Sequence, residues 1–217
     1  MSPHRPSKRT SVIVVAGESG NDRGVLKKLI PALYRGTCPR IEEIRDEIKL
    51  AAAINQLSPR VEVIRKRALA KAKDCDAELV GIVVHADMDA VADQSYDRVR
   101  DRVTTQLRAK LPCNSALALS AVEMEAWLMQ FPDAFPKVNS GWAMRPQDCR
   151  RDLGLLLNPK EHLMKHLGKP TYRESHSPKI MDEAVRHGHV SARPAGNNRS
   201  FRDFADELAG WKQPGRQ

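Results

Sequence analysis

Acidic residues are in short supply: 27 Asp and Glu stand against 36 Lys and Arg, leaving a net charge of +9. An excess of this size points to a polyanionic partner, nucleic acid foremost, although it also serves simple solubility. Cysteine is sparse, and no Cys-x-x-Cys pair occurs. Cys38, Cys75, Cys113 and Cys149 lie far apart, which argues against a zinc knuckle or a small disulfide framework and for reduced cytosolic thiols. Long apolar runs are missing too. The run nearest the N-terminus, VIVVA, is too short for a signal-peptide core or a membrane span, and 29% charged residues sets aside a membrane-embedded class. The expected compartment is the cytoplasm. Internal repeats and low-complexity segments are also absent.

What the chain does have is an alternation of short apolar runs with amphipathic stretches. Its 217 residues suffice for one domain, or one core with an appendage. Residues 1–10, MSPHRPSKRT, read as a basic disordered tail that either touches phosphates or only solubilises. Residues 11–16 predict a buried parallel strand running into the turn Gly17-Glu18-Ser19-Gly20. A helix follows, capped by Asn21 or Asp22, with Val25, Leu26, Leu29, Ile30 and Leu33 on one face and a kink at Pro31. Residues 40–44 form a weak strand, and 50–75 a helix that Pro59 breaks in two. The best strand is 79–85; a polar helix at 93–111, a short strand at 115–119 and a helix start at 122–129 complete the pattern. Strands alternating with helices predict a mostly parallel sheet covered by helices on both faces. From about residue 136 onward the composition shifts to Pro, Gly and basic residues, with helices at 159–167, 178–187 and 201–208.

The acids fall where such a sheet binds ligands, beyond the carboxyl ends of its strands. In LVGIVVHADMDA, residues 79–90, an apolar strand stops on Asp87 and Asp89, two apart and so expected to face the same way. Glu18 follows the first strand, and Glu123 and Glu125 follow the last. Carboxylates crowded at one edge repel one another unless cations sit among them. Oxygen ligands without nearby Cys or His favour Mg²⁺ or Mn²⁺, ions that commonly serve phosphoryl chemistry. On a helix Glu123 and Glu125 point apart, so both reach one ion only from an extended segment; Glu125 is the candidate ligand.

These residues resemble the TOPRIM fold, the metal-binding domain shared by topoisomerases, bacterial primases and OLD-family nucleases. GESGNDRGVLKKL places Glu18 and Asp22 at that fold's Glu-to-Asp spacing, Asp87 and Asp89 match its Asp-x-Asp, and SAVEMEAWLMQ is similar to the Glu-hydrophobic-Glu-Ala-Trp-Leu signature of a small TOPRIM-like family. Members of that family are often encoded beside AAA-type ATPases and associated with bacterial phage defence. The late SFRDFADEL is similar to its closing helix. The chain departs from the pattern in having Gly20 one position late, Gln130 where an acid is usual, and Tyr172 with Lys179 as a loose echo of a tyrosine-lysine pair.

The resemblance implies an α/β, TOPRIM-like domain at residues 11–135 with a helical appendage at 136–217. It further implies a divalent-metal-dependent nuclease that hydrolyses or nicks DNA in anti-phage defence with an ATPase partner; self-association is left open. Glu18, Asp87, Asp89 and Glu125 are then the metal-binding and catalytic residues, with Asp87 and Asp89 holding Mg²⁺, Glu125 a ligand of a second ion because a two-ion clamp needs more than three acids, and Glu18 also able to handle the proton of the attacking water. Asp22 is expected to cap or brace the turn, and Trp127 to be core. Two other readings compete. A haloacid-dehalogenase-like phosphatase would use DMDAV as its nucleophile motif, but that family opens on the motif, whereas here a strand and a Glu precede it. A non-catalytic subunit would bind DNA or an ATPase with the same surface. Lys27 and Lys28, 65–67 and 98–108 offer basic faces, and RPAGNNRS a basic loop or linker. His162 and His166 have the i, i+4 spacing of zinc ligands without a third partner, and read as a structural or surface pair.

Overall fold

Strand β1 (Thr10–Gly17) shows why the sheet is buried on both sides. Its residues from Val12 to Ala16 are all inaccessible to solvent, with Ile13 and Val15 feeding one core and Val12, Val14 and Ala16 the other. A β-branched run without polar alternation can be satisfied only by helices on both faces. The computed structural model describes residues 10–50, 56–194 and 196–211; the basic tail expected at 1–10 therefore lies almost wholly outside the described residues.

Helix α1 (Gly20–Leu33) follows β1, and buries all five apolar residues of its expected stripe. Its N-cap is Ser19 rather than Asn21 or Asp22, and Pro31 sits in its last turn, where the lost N–H bond affects only the helix end. Next comes β2 (Arg40–Glu47), an edge strand three residues longer than expected, whose sequence RIEEIRDE buries only Ile44. Charge of this density discourages edge-to-edge pairing. The break expected at Pro59 does not occur. Helix α2 (Leu57–Asp74) begins at its own first turn around Pro59, where a missing N–H costs nothing; residues 51–55, which carried the other half of that expectation, lie outside the described residues. Strand β3 (Ala77–Asp87), helix α3 (Gln94–Lys110, capped by Asp93) and strand β4 (Asn114–Ser120) complete the sheet domain.

All pairings are parallel, in the order β2-β1-β3-β4. The chain therefore steps from β1 to one side and returns to the other, so that the topological switch point lies between β1 and β3. Helices α2 and α3 cover one face. The opposite face is covered by α1 together with later helices: α4 (Glu125–Leu128), α5 (Phe135–Val138), α6 (Pro159–His166), α7 (Ser177–Arg186) and α8 (Arg199–Ala209). The helix expected at 122–129 shrinks to the single turn of α4, leaving Glu123 before it. Beyond α4, strand-like pairing among the described residues is limited to isolated bridges, Trp142 with Gly168 and Asp152 with Asn197. The expected boundary at 135/136 falls inside α5. None of the described helices is long and apolar enough to cross a membrane.

Candidate metal centre

The carboxyl ends of β1 and β3 meet at the switch point, and the acids gather there. Glu18 leaves β1 directly; Ser19 then turns the chain into α1, its hydroxyl donating to Asp22 Oδ2 at 2.6 Å and accepting the Asp22 N–H at 3.1 Å. Asp22 is thereby fixed facing β3, bracing the turn as expected. A pocket of about 250 Å³ opens above these residues, and Glu18, Asp22, Asp87, Glu123 and Glu125 all line it. Glu47 and Lys49 form one wall, and Lys160, Glu174 and Ser177 the other.

Asp89 does not line this pocket. Two-residue alternation holds only while the strand lasts; β3 ends at Asp87, and Asp89 adopts a left-handed backbone (φ 53°) with an exposed side chain. Its carboxylate still adds to the repulsion felt by Glu18. The i, i+2 relation that the sequence suggested for Asp87 and Asp89 belongs instead to His85 and Asp87, both within β3.

His85 was missed by the sequence reading, although a lone histidine inside an apolar run, two residues before an aspartate, was a usable signal. It is completely buried beneath the pocket. Its Nε2 lies 3.2 Å from Ser120 Oγ and 3.3 Å from Asp87 Oδ1, and its Nδ1 lies 3.6 Å from Asp22 Oδ2. Burial alone would lower its pKa, but the carboxylates of Asp87, Asp22 and Glu18 outweigh that cost and push it up to about 9. Among the described residues neither His85 Nδ1 nor Asp87 Oδ1 has a well-aligned hydrogen-bond partner, the contact of Asp87 Oδ1 with Nε2 being an ion pair. Buried polar atoms are rarely left so; a cation at the pocket floor would satisfy Asp87 Oδ1, and solvent would satisfy His85 Nδ1. Asp22, His85 and Asp87 each bring a ligand atom within 4.8 Å of the others, a group that could hold a metal ion. Glu18 is half-buried beside them, its pKa raised by burial and then by the Asp87 charge.

The far side of the pocket is differently arranged. Glu125 is buried at the start of α4 and accepts a hydrogen bond from Tyr172 at 2.8 Å; Tyr172 in turn lies 2.6 Å from Ser177 Oγ. Burial pushes the Glu125 carboxyl up to about 7, against the lowering effect of the tyrosine bond. Glu123 caps α6: its Oε2 accepts the Lys160 backbone N–H at 3.1 Å, while Lys160 Nζ lies 3.2 Å from Glu123 Oε1 and 2.8 Å from Glu174 Oε1. Because Glu123 lies before α4, it and Glu125 reach the same pocket. The lysine that lines this pocket is Lys160, whereas Lys179 is exposed and does not line it.

Other expectations resolve outside the pocket. Trp127 is core, stacked on Phe204 with centroids 5.4 Å apart and donating to Ser200 Oγ at 2.8 Å. Gln130 is buried with its Oε1 unpartnered. His162 lies 3.0 Å from Asp148 Oδ2 and packs on His166 at 4.8 Å between ring centroids, the expected structural pair. The basic stretches are largely tied into ion pairs, as in Lys28 with Asp182, Arg65 with Glu62, and Arg100 with Glu207. RPAGNNRS is a structural linker whose Arg193 pairs with Asp206 and whose Asn198 caps α8; Ala195 lies outside the described residues.

Fold and site together define an α/β protein with a four-stranded parallel sheet, helices on both faces, and a carboxylate-lined pocket over a buried histidine at its switch point. No family model matches the chain, nor does any curated protein or solved structure compared with it.

Proposed function

We propose that the protein is a divalent-metal-dependent nuclease that hydrolyses or nicks DNA, with Mg²⁺ or Mn²⁺ held at the switch-point pocket. The observation that carries this reading is the convergence of Glu18, Asp22 and Asp87 on one pocket, with the buried Asp87 Oδ1 left without a hydrogen-bond partner. Their oxygens suit a hard cation; Ser19 holds Asp22, and His85, which does not line the pocket, lies against Asp87 from below with Nε2 at 3.3 Å. A bound ion there supplies a Lewis acid for the scissile phosphate and the leaving oxygen. The raised pKa of Glu18 suits a group that takes a proton from the attacking water. Glu125, held by Tyr172, contributes a proton-bearing or anionic oxygen from the opposite wall. Action on DNA, an AAA-type ATPase partner, cytoplasmic location and a role in defence against phage are proposed from the resemblance of GESGNDRG, DMD and EMEAWL to the TOPRIM-like family.

A second reading, a non-catalytic subunit that binds DNA or an ATPase, is favoured by the exclusion of Asp89 from the pocket and by Gln130 at the position of a missing acid. Conversion of supercoiled plasmid separates the two. Wild type with Mg²⁺ or Mn²⁺ is expected to relax or linearise the plasmid, whereas Asp87→Ala, or EDTA, is expected to abolish this while leaving DNA binding intact. Wild type that binds DNA but leaves it uncut with either metal, with or without the ATPase, would support the binding subunit.

A further inference from the structure

The pocket has two unlike halves. Around Glu18, Asp22 and Asp87 the nearest basic groups are Lys49 on the pocket wall and the buried His85, none of the three acids is bridged by a lysine or arginine in an ion pair among the described residues, and His85 Nδ1 and Asp87 Oδ1 are left unpartnered. Around Glu123, Glu125 and Glu174 the opposite holds. Lys160 Nζ sits between Glu123 Oε1 at 3.2 Å and Glu174 Oε1 at 2.8 Å, and Tyr172 satisfies an oxygen of Glu125. The lysine is anchored at both ends, since its backbone N–H is bound by the other oxygen of Glu123 at 3.1 Å, in the first turn of α6.

We infer that Lys160 takes the place of a second divalent cation, so that the pocket is built for one ion. This deepens the metal-site reading and rests on it. Three carboxylates on one wall would ordinarily recruit a cation, because like charges at such range cannot all remain ionised without one. Here the cation is part of the chain. A two-ion clamp needs both ions to share acids across a few ångströms, and an ammonium already bridging Glu123 and Glu174 denies the second ion its ligands. Its removal leaves Glu123, Glu125 and Glu174 as an uncompensated oxygen set of the kind that hard divalent ions accept. Ion stoichiometry is therefore a property of α6, supplied by the C-terminal half of the chain, and Lys160 is a positioning and selectivity residue rather than a catalytic one.

The test is Mn²⁺ titration of the full chain by calorimetry and by electron paramagnetic resonance, with Lys160→Gln, Lys160→Met and Asp87→Asn alongside wild type. The expected result is one ion per chain in wild type and two in either lysine variant. The second ion should be lost again in Lys160→Gln/Glu123→Gln, and the first in Asp87→Asn. One ion in both wild type and lysine variants, or two in wild type, would overturn the role of Lys160 while leaving the metal site standing. No ion in wild type would overturn the metal-site reading and this inference with it. Lys160→Met preserves the aliphatic stem should Lys160→Gln not fold, and two ions in wild type would overturn the inference without either variant.

Discussion

Glu125 stores a measurable pH dependence. Its carboxyl is pushed up from an ordinary 4.5 to about 7, first by burial and against the hydrogen bond from Tyr172. Between those values the folded chain keeps a proton that the unfolded chain has lost, so the stability contributed by this group is fully present below about pH 4.5, falls as pH rises from there to about 7, and levels off above. The gap corresponds to about 3 kcal/mol as an upper figure. Glu125→Gln removes that dependence, so urea denaturation at pH 5 and pH 8 should show wild type losing about 2–3 kcal/mol relative to the variant. An unchanged difference between the two proteins across this range would show that Glu125 titrates normally. His85 illustrates what residue-scale reading of the sequence could not reach. Its type is visible in LVGIVVHAD, but its importance depends on Asp22, sixty-three positions earlier, and Ser120, thirty-five later, arriving around one ring.

At the scale of elements, the site depends on how closely β1 and β3 approach. Gly17 ends β1 with its Cα facing His85, and a Cβ added there would lie 2.9 Å from His85 Cβ. Gly17→Ala is therefore expected to displace the histidine or the strand end, at a cost of about 1–3 kcal/mol, read by thermal denaturation, with weakened Mn²⁺ binding. A fully stable variant with unchanged binding would mean that the strand ends are not held together as tightly as the geometry implies. On the opposite face the indole of Trp127 donates to Ser200, whose hydroxyl also accepts from Ala121 N–H and donates to Asn198. Ser200→Ala leaves a buried indole N–H unpaired, for an expected loss of about 1–3 kcal/mol in chemical denaturation, without effect on metal binding. The strands and long helices were legible because apolar periodicity reports burial directly. Exact ends were less so: Asp89 was assigned to the site by extending strand alternation two residues past the end of β3, where backbone conformation changes, and Glu123 was placed on a helix that is only one turn long. Turn geometry of that kind is set by neighbours, not by local pattern.

At the scale of the whole molecule, the C-terminal segment is better understood as the second wall of the core than as an addition to a finished domain. Ile13, Val15, Val83, Ala116 and Ala118 face α1, α7 and α8, in one cluster with Ile180, Phe201 and Phe204. The sequence revealed these helices but not this role, because the shift to basic, proline-rich composition near residue 136 resembles a boundary while the contacts that erase it are long-range. The same segment supplies Lys160, Glu174 and Ser177 to the pocket, with Tyr172 behind them bonded to Glu125. If sheet and C-terminal helices share one core, they must unfold together. Thermal denaturation followed by far-ultraviolet circular dichroism, which reports all elements, should coincide with tryptophan fluorescence, which reports Trp127, Trp142 and Trp211 on this face alone. A chain ending after Val138 would expose the apolar sheet face that α8 covers and the side of α1 that α7 covers, and is expected to show no cooperative transition. Two separated transitions in the full chain, or a cooperative melt of the shortened one, would instead establish an autonomous sheet domain, and the pocket would then have to be regarded as an interface between two folding units.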